Sequence, residues 1–318
     1  MILIGIIILN YNTQNETIEC IESIINTTTC EYKIYVVDNN SNDNSYENLC
    51  NLYCNSELIT VIAANNNGGY SVGNNIGIKR ALDDNAEIVL LSNSDIIYFE
   101  SSIDEIYNYS QNNSKIGIIG PKIVLENGEV QNSPRQNYNF TNYLLSKKPF
   151  KLFDINKING RVYFKDYKYD KELVFQGLVS GCCIGLSKQY LELCGMLDEG
   201  TFLYFEESII AHKARQKGLL TCVLPNSVVM HKCSISIGNQ NSAFSRFHRY
   251  YSSMYMLKKY EGINNCQLSL LFILNIFPFI FHIKEIEYKK YLRLYIKDVL
   301  NLFNKHTFDR KLFSHEEG

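Results

Sequence analysis

The sequence lacks several features that would place it in common classes of protein. Its formal net charge is -2, so no excess of basic residues is available to attract nucleic acid. None of its ten cysteines is spaced from another as C-x-x-C, which favours reduced, mostly buried thiols over a zinc site or a disulfide framework. Tryptophan is absent too, but that absence excludes no function. The composition predicts a cytoplasmic protein without a nucleic-acid partner.

Long apolar runs are also missing. The opening run, MILIGIIILNYN, is too short to span a bilayer and carries neither a basic segment nor a cleavage site, so we expect a buried strand there. Residues 268–283 are nearly all apolar, but they number fewer than the roughly 20 residues of a spanning helix and include Pro278. This run predicts a helix that lies either at a membrane surface or in the protein core.

Four apolar segments in the first part of the chain each end in a cluster of small polar residues. They occupy residues 2–9, 33–37, 58–63 and 87–91, and segments with helical spacing lie between them. The alternation predicts an α/β fold with a mostly parallel central sheet and helices on both faces. We therefore expect the polar clusters to lie together along one edge of the sheet.

The cluster after the fourth strand carries a single carboxylate. In LLSNSDI, residues 90–96, an apolar run ends in Ser-Asn-Ser and then Asp95. Ligands of open α/β sheets bind outside the carboxyl-terminal ends of the strands. An acidic residue just after the end of a strand therefore predicts a ligand site there. The same residue types are typical of a turn or a helix N-cap, so this motif alone leaves both interpretations open.

The second half of the chain has a less regular pattern. Residues 126–170 show no clear period, and we interpret them as an irregular region. Further strands are predicted at residues 116–119, 173–180, 181–186, 202–205, 220–224 and 228–231. The aromatic strand at 202–205 leads into Glu206 and Glu207, which begin a helix that ends at Gly218.

Seven short motifs, taken in order, resemble family 2 glycosyltransferases of the GT-A fold, in particular the bacterial rhamnosyltransferase-like branch. They are ILNYN, VVDNNSND, NGGYSVGNNIG, LLSNSDI, GCCIGLSK, GMLDEGTFLYFEES and VVMHKCSIS. The resemblance implies a GT-A catalytic domain at residues 1–236 and a helical C-terminal region at residues 237–318. It also implies inverting transfer of a sugar, with rhamnose from dTDP-rhamnose as the first candidate, to a hydroxyl of a cell-surface glycan or lipid-linked acceptor.

The resemblance assigns the first motifs to the nucleotide-sugar donor. Asp38 would accept a hydrogen bond from the pyrimidine ring, with Asn10 and Asn12 in the same pocket, although Asp38 could instead cap the following helix. A loop rich in Asn and Gly would let the backbone approach the donor closely, because glycine has no Cβ. The residues of that loop are Asn67, Gly68, Gly69, Gly73 and Asn74.

By the same resemblance, LLSNSDI holds a divalent cation, Mn²⁺ or Mg²⁺. Asp95 would bind the ion directly, Asn93 would assist, and His231 would add a ligand late in the chain. Asn93 departs from the two-acid form of this motif, which implies weaker metal binding. His231 alone could equally be a structural histidine.

The acid pair of the sixth motif implies a general base. Glu207 would deprotonate the acceptor hydroxyl, beside Glu206. The family has Asp at the second position and a further acid two residues on, where this chain has Ile209. Two alternatives follow: the pair could be solvated residues of a first helical turn, or the protein could be a degenerate member that binds nucleotide sugar or glycan without catalysis. A nucleotidyltransferase is excluded, because Asn10-Tyr11-Asn12-Thr13 is not a basic, glycine-rich phosphate loop.

Residues 243–260 repeat aromatic and apolar side chains on a basic background. Such a helix could hold the enzyme peripherally at the inner face of the cell membrane, since basic residues attract anionic headgroups and aromatic ones settle at the interface. The alternative is that the aromatic residues pack against the catalytic domain. The basic residues in question are Arg246, His248, Arg249, Lys258 and Lys259.

Overall fold

The computed structural model describes residues 3–147, 164, 166–233 and 241–304. The predicted boundary between residues 236 and 237, and the motif residues Ser234 and Ser236, lie outside this part of the chain. In the first part, strands and helices alternate as predicted. The elements are β1 (Leu3–Asn10), α1 (Gln14–Thr27), β2 (Tyr32–Asp38), α2 (Ser45–Tyr53), β3 (Ile59–Ala63), α3 (Tyr70–Asp83) and β4 (Ala86–Asn93).

The remaining described elements add five strands and seven helices. They are β5 (Ile96–Tyr98), α4 (Ser102–Asn112), β6 (Ile116–Leu125), α5 (Phe140–Leu145), β7 (Leu173–Phe175), β8 (Cys183–Ser187), α6 (Lys188–Cys194), α7 (Glu206–Gln216), β9 (Leu220–His231), α8 (Ala243–Tyr260), α9 (Asn265–Phe281) and α10 (Ile286–Asn304). The two strands predicted at 220–224 and 228–231 are one continuous strand, and the segment predicted at 173–180 is extended only as far as Phe175.

The nine strands form a single mixed sheet. Their order is β3-β2-β1-β4-β8-β6-β9-β5, and β7 pairs with β9. Strands β1 to β4 are parallel, whereas β8 lies antiparallel between β4 and β6. The predicted α/β fold with a mostly parallel central sheet is confirmed: six of the nine strands, β1 to β4, β6 and β9, run in one direction. The other three, β5, β7 and β8, run in the opposite direction.

Helices cover both faces of the sheet. Alternate residues of β1 point to opposite faces, so Ile6 and Ile8 pack with α1 while Ile7 packs with α3. Because both faces are buried, the strand is a continuous apolar run without polar alternation. The opening segment of the sequence is therefore a central strand, as predicted.

The C-terminal helices α8, α9 and α10 form a third hydrophobic core together with residues of α5 and α7. Phe247, Tyr251 and Tyr255 follow one another at four-residue spacing on α8 and are all buried, and the same cluster includes Tyr143 and Ile209. These aromatic residues therefore pack within the protein, while peripheral membrane contact of the C-terminal region stays a prediction. Among the helices in the described ranges, none has the length and apolar character needed to cross a membrane.

The segment predicted as an aromatic strand at 202–205 is instead a bend. Tyr204 and Phe205 have left-handed φ values of 71° and 70°, which no strand residue adopts. The backbone here bonds to helices rather than to a neighbouring strand: the Phe202 carbonyl accepts from the Tyr70 N–H at 2.8 Å, and the Leu203 carbonyl accepts from the Ser252 hydroxyl at 2.8 Å. Alternating aromatic residues indicated a strand, but these tertiary hydrogen bonds determine the conformation.

Candidate active site

Strand pairing brings Asp95 and His231 together. Ser94 and Asp95 form a tight turn between β4 and β5, and β5 pairs antiparallel with β9 so that Ile96 lies opposite His231. As a result, His231 Nε2 lies 3.4 Å from Asp95 Oδ2. No helix begins at Asp95, so the N-cap interpretation of this motif is wrong, while the turn interpretation is correct.

Gln131 orients the His231 ring. Its side-chain oxygen lies 3.0 Å from His231 Nδ1, and its amide nitrogen donates to the Ser180 hydroxyl at 3.2 Å. An amide oxygen accepts a hydrogen bond, so His231 donates through Nδ1 and directs Nε2 towards Asp95. Sequence reasoning missed Gln131, because it lies in the segment without a clear period.

The pair has the electrostatic character of a cation site. Burial lowers the pKa of His231, but its contacts with Asp95 and Cys182 raise it, and the net result is a pKa raised to about 11. The environment therefore favours positive charge beside Asp95. A divalent cation bound at Nε2 would take the place of that proton, because both use the same lone pair.

The oxygen of Asp95 and the nitrogen of His231 fit a cation whose remaining ligands come from a bound substrate. Within the described residues, no group of three or more His, Cys, Asp or Glu side chains could by itself hold a metal ion. Asp95 and His231 supply one oxygen and one nitrogen, and ions such as Mg²⁺ are commonly bound by one or two protein ligands together with substrate phosphates. Asn93, whose backbone N–H donates to the Cys182 carbonyl at 2.9 Å, ends the same strand. Its assisting role remains a prediction.

The register of β1 against β2 builds the predicted donor pocket. Asn10 lies opposite Asp38, and its amide donates to Asp38 Oδ2 at 2.6 Å. The Ser41 N–H and hydroxyl donate to the same carboxylate at 2.9 and 2.7 Å, and the Asn12 N–H donates to the Ser41 hydroxyl at 2.9 Å. Asp38 thus closes a turn at Ser41. The N-cap of α2 is Asn44, so the helix-capping alternative for Asp38 is wrong, while pyrimidine binding remains a prediction.

The glycine-rich loop is held against the segment that precedes the acid pair. Gly69 has a left-handed φ of 81°, and a Cβ there would overlap the backbone of Phe202. Asn67 Oδ1 accepts from the Gly69 N–H at 3.1 Å, and the Asn74 amide donates to the Tyr70 carbonyl at 2.9 Å. These hydrogen bonds give the loop one fixed shape.

Two other glycines of this loop serve packing within the protein. Gly68 lies against Val72, and Gly73 packs on Leu9 of β1, where a side chain would clash. The glycines therefore bring protein segments close together. Contact between these glycines and the donor is still only a prediction.

Glu206 and Glu207 begin α7 but differ in their surroundings. Glu206 is only 8% exposed, and its Oε1 atom has no hydrogen-bond partner among the described residues. Burial, together with the neighbouring Glu207, raises the pKa of Glu206 to about 8. Glu207 is half-buried at the wall of a cavity, and burial raises its pKa while Arg135 opposes that shift. The interpretation of both as solvated residues is wrong.

Contacts on two sides fix the segment that carries these acids. The Asn75 side chain of α3 accepts from the Leu197 N–H at 2.9 Å and donates to the Leu197 carbonyl at 3.0 Å. On the other side, Asp198 accepts from the Tyr255 hydroxyl at 2.8 Å and from the Lys259 ammonium at 2.6 Å. The acid pair is therefore braced between α3 and α8.

Glu207 and the Asp95–His231 pair both lie near residues 181 and 182. Glu207 Oε2 lies 3.8 Å from where a Cβ on Gly181 would be, and the Gly181 carbonyl accepts from the Tyr70 hydroxyl at 2.8 Å. His231 contacts Cys182, and the Cys182 carbonyl accepts from the Asn93 N–H. A carboxylate of raised pKa and the Asp95–His231 pair therefore adjoin the same short segment of chain.

A cavity of about 1130 Å³ extends from Glu207 to the C-terminal helices. Among its described lining residues are Arg135, Lys147, Arg246, Arg249 and Asn275. Sequence reasoning did not assign these residues to a common site, since they lie on segments that are far apart in the chain.

Comparisons with known proteins identify this arrangement. Agl10 of Haloferax volcanii, a low-salt glycan biosynthesis hexosyltransferase, is 28% identical over 220 residues, which are 68% of this chain and 62% of Agl10. This chain thus spans less than two thirds of that relative. GalNAc-T7, crystallised with UDP, GalNAc and Mn²⁺, has a TM-score of 0.60 at 14% identity over 82% of this chain and 49% of its own.

A second solved structure covers the C-terminal helices as well. Residues 1–349 of TarS from S. aureus give a TM-score of 0.52 at 14% identity, over 96% of this chain and 81% of that one. At these identities the two structures show a shared GT-A-like fold. The family model for glycosyl transferase family 2 matches residues 5–190, which is more than half of the sequence. The chain belongs to glycosyl transferase family 2.

Proposed function

We propose that this glycosyltransferase moves a sugar from a nucleoside-diphosphate donor to an acceptor hydroxyl with inversion. The observation that supports the proposal is that Glu207 and the Asp95–His231 pair both adjoin the same short segment, residues 181 and 182. Direct displacement needs a base on one side of the sugar and charge stabilisation at the leaving group on the other. The arrangement provides a group for each task.

The donor diphosphate would lie at the Asp95–His231 pair. Mn²⁺ or Mg²⁺ held there would neutralise the charge that develops on the leaving diphosphate. His231 would be oriented for this role by Gln131. Asn10, Asn12 and Asp38 would bind the base of the nucleotide, and rhamnose from dTDP-rhamnose is the first donor to test.

Glu207 would act as the general base for the acceptor. Its carboxylate faces the cavity, and its raised pKa brings it closer to the working pH, where a base transfers protons most effectively. Glu206 is more deeply buried, and a pKa of about 8 keeps it largely protonated at neutral pH. It would support the site without taking the proton. The acceptor would be a glycan or a lipid-linked glycan, met in the cytoplasm at the inner face of the membrane.

The alternative of a binding protein without catalysis rests on Asn93, Glu207 and Ile209. Ile209 is 1% exposed in the C-terminal core, so the position that carries an acid in the family supports packing here. A weak metal site and a displaced base would both reduce turnover. Donor hydrolysis separates the two functions, because a protein that only binds nucleotide sugar leaves it intact.

The experiment is a screen of nucleotide sugars with and without Mn²⁺. Thermal shift measures binding, and mass spectrometry measures hydrolysis and transfer to added glycans. We expect one donor to be consumed only with metal, and Asp95→Ala to abolish that consumption while the variant still unfolds cooperatively. Asp83→Ala is the matched control, because Asp83 is an exposed acid outside the site. Metal-dependent binding without any turnover would favour the non-catalytic alternative.

A further inference from the structure

The cavity beside Glu207 has an unusual charge balance. Four of its described lining residues are Lys or Arg, while Glu207 is the one acid among them. Its volume, about 1130 Å³, exceeds the roughly 300–1000 Å³ of most small-molecule pockets. A cavity of this size and charge beside the candidate base is suited to a large acceptor that carries negative charge.

Two of the cations are held close together on aromatic rings. Lys147 Nζ lies 4.3 Å from the ring centre of Tyr143 and 4.4 Å from that of Tyr250, and the Arg249 guanidinium lies 5.2 Å from the ring centre of Tyr204. The two ring faces position the Lys147 ammonium while leaving its N–H groups able to bind an anion. No ion pair joins Lys147 to a carboxylate in the described part of the chain.

The surroundings of Lys147 make an added anion favourable. Burial lowers its pKa to about 8, Tyr250 opposes this shift, and Arg249 adds to it by repulsion. An anion between the two cations would relieve that repulsion. Asn275, which is 1% exposed at the cavity wall, lies beside the Tyr143 and Tyr295 hydroxyls and adds a polar group to the same wall.

An exposed apolar stripe runs from this cavity along α9. Leu270, Ile273, Phe277 and Phe281 recur at three- and four-residue spacing on one face of the helix, and they are 38%, 51%, 48% and 82% exposed. Phe277 and Phe281 also line the cavity. The apolar surface is therefore continuous with the cationic site, which is the arrangement that an amphipathic molecule with an anionic head requires.

We propose that this cavity binds the phosphate of a lipid-linked phosphate acceptor, with Lys147 and Arg249 as anion contacts and the apolar stripe of α9 as the surface for the lipid chain. The inference rests on the proposed function and specifies the chemical class of its acceptor. A phosphate-containing polymer without a lipid would pair with the cations, but it would leave the apolar stripe of α9 exposed to water. Continuity between the two surfaces therefore favours the lipid.

The test is calorimetry on the full-length protein without nucleotide, using farnesyl phosphate, farnesol and inorganic phosphate as probes. We expect farnesyl phosphate to bind about 10–100-fold more tightly than inorganic phosphate, because its chain buries apolar surface. Farnesol should bind at least about tenfold more weakly than farnesyl phosphate, because it lacks the charge-assisted hydrogen bonds. Equal binding of farnesyl phosphate and inorganic phosphate would assign the cavity to a phosphate without a lipid and would overturn the proposal.

Substitutions locate the site. Lys147→Gln and Arg249→Gln should each weaken both phosphate probes about tenfold, whereas Lys290→Gln should not. Lys290 is the matched control, because its ammonium lies 5.9 Å from the ring centre of Tyr291 on the exposed surface outside the cavity. Melting temperatures verify folding, and the two cavity variants lie on different segments, so one remains informative if the other unfolds. Unchanged binding in both folded variants would overturn the anion site.

The stripe is tested separately from the cations. Phe281→Ser should weaken farnesyl phosphate but not inorganic phosphate, while Leu52→Ser, at an exposed leucine on α2, should change neither. Binding of dTDP in the presence of Mn²⁺, measured on the unaltered protein, tests the proposed donor site independently of the acceptor cavity. Loss of lipid-phosphate binding with dTDP binding retained would count against this inference alone, and the reverse result would count against the proposed function alone.

Discussion

The two halves of the site are built in different ways. On the donor side, polar groups at strand ends are largely satisfied by one another, as when Asp38 accepts hydrogen bonds from Asn10 and from the backbone and hydroxyl of Ser41. On the proposed acceptor side, Glu206 keeps a buried carboxylate oxygen without a partner among the described residues. The strand-end groups around Asp38 are therefore preorganised, whereas Glu206, like Asn74 Oδ1 in the glycine-rich loop, has a buried oxygen whose partner would come with a ligand.

The two halves also differ in how they affect the free energy of unfolding. Internal hydrogen bonds on the donor side stabilise the fold whether or not a ligand is bound. On the acceptor side, burial raises the pKa of both glutamates, which means that the fold carries an unfavourable electrostatic contribution there. Perturbed groups of this kind are common at functional sites. Three substitutions test this difference, in order of decreasing effect.

Glu207→Gln should have the largest effect, and only on the acceptor half. Turnover should fall by about two to four orders of magnitude, the usual range for loss of a general base, while nucleotide binding stays near normal. In the unaltered enzyme the rate should rise with pH through the raised pKa of Glu207, because only the ionised carboxylate accepts a proton.

Steady-state kinetics over a pH series, with dTDP binding in parallel, provides the measurement. Glu192→Gln is the control, because Glu192 is exposed on α6. If Glu206→Gln is inactive while Glu207→Gln is nearly normal, the assignments of the two acids are reversed.

Gln131→Ala should have an intermediate effect, because Gln131 acts on the proposed metal ligand His231 only through a hydrogen bond. Loss of the hydrogen bond to His231 Nδ1 should weaken Mn²⁺ affinity by about 10–100-fold, as for other residues that orient a metal ligand. Manganese titration followed by calorimetry in the presence of dTDP measures this directly. Gln111→Ala, at an exposed position on α4, is the control. Unchanged affinity would mean that His231 is held by other contacts or does not bind the ion.

Glu206→Gln should have the smallest effect on rate and a visible effect on stability. The folded state retains a proton on Glu206 that the unfolded chain releases as the pH rises from 4.5 to about 8, so this group lowers the free energy of unfolding across that window. Glutamine removes the titration and should make the variant more stable than the unaltered protein by about 2 kcal/mol at pH 8, with no gain at pH 4.

Urea unfolding at the two pH values measures this difference. An equal change in stability at both values would show that the proton on Glu206 is not responsible.

The sequence predicted the positions of the strand-end residues better than those of the cavity residues, for a physical reason. Asn10 and Asp38 end their strands and Asp95 lies in the turn after β4, and the register of parallel strands places strand ends along one edge. A local pattern is enough to locate such residues. The strand end at His231 was located in the same way, while the roles of these residues in donor binding stay predictions.

The acceptor half depends on tertiary contacts that no local pattern contains. Lys147, Arg249 and Asn275 meet only after α8 and α9 pack on the sheet domain, and the bend at Tyr204 and Phe205 depends on hydrogen bonds to α3 and α8. The aromatic residues of α8 were correctly seen as one face of a helix. Periodicity could not tell whether a membrane or a protein core covers that face.

The contact between Gly69 and Phe202 links the two halves through main-chain atoms alone. The Phe202 carbonyl bonds to the first N–H of α3, and the absence of a side chain at Gly69 makes room for it. A bond between backbone atoms does not depend on which side chain position 202 carries. The acceptor half can therefore be redesigned by exchanging the side chains around it while the donor helix keeps the same support, provided that position 69 remains glycine. This makes the junction a suitable point at which to combine acceptor segments from different family members on one donor domain.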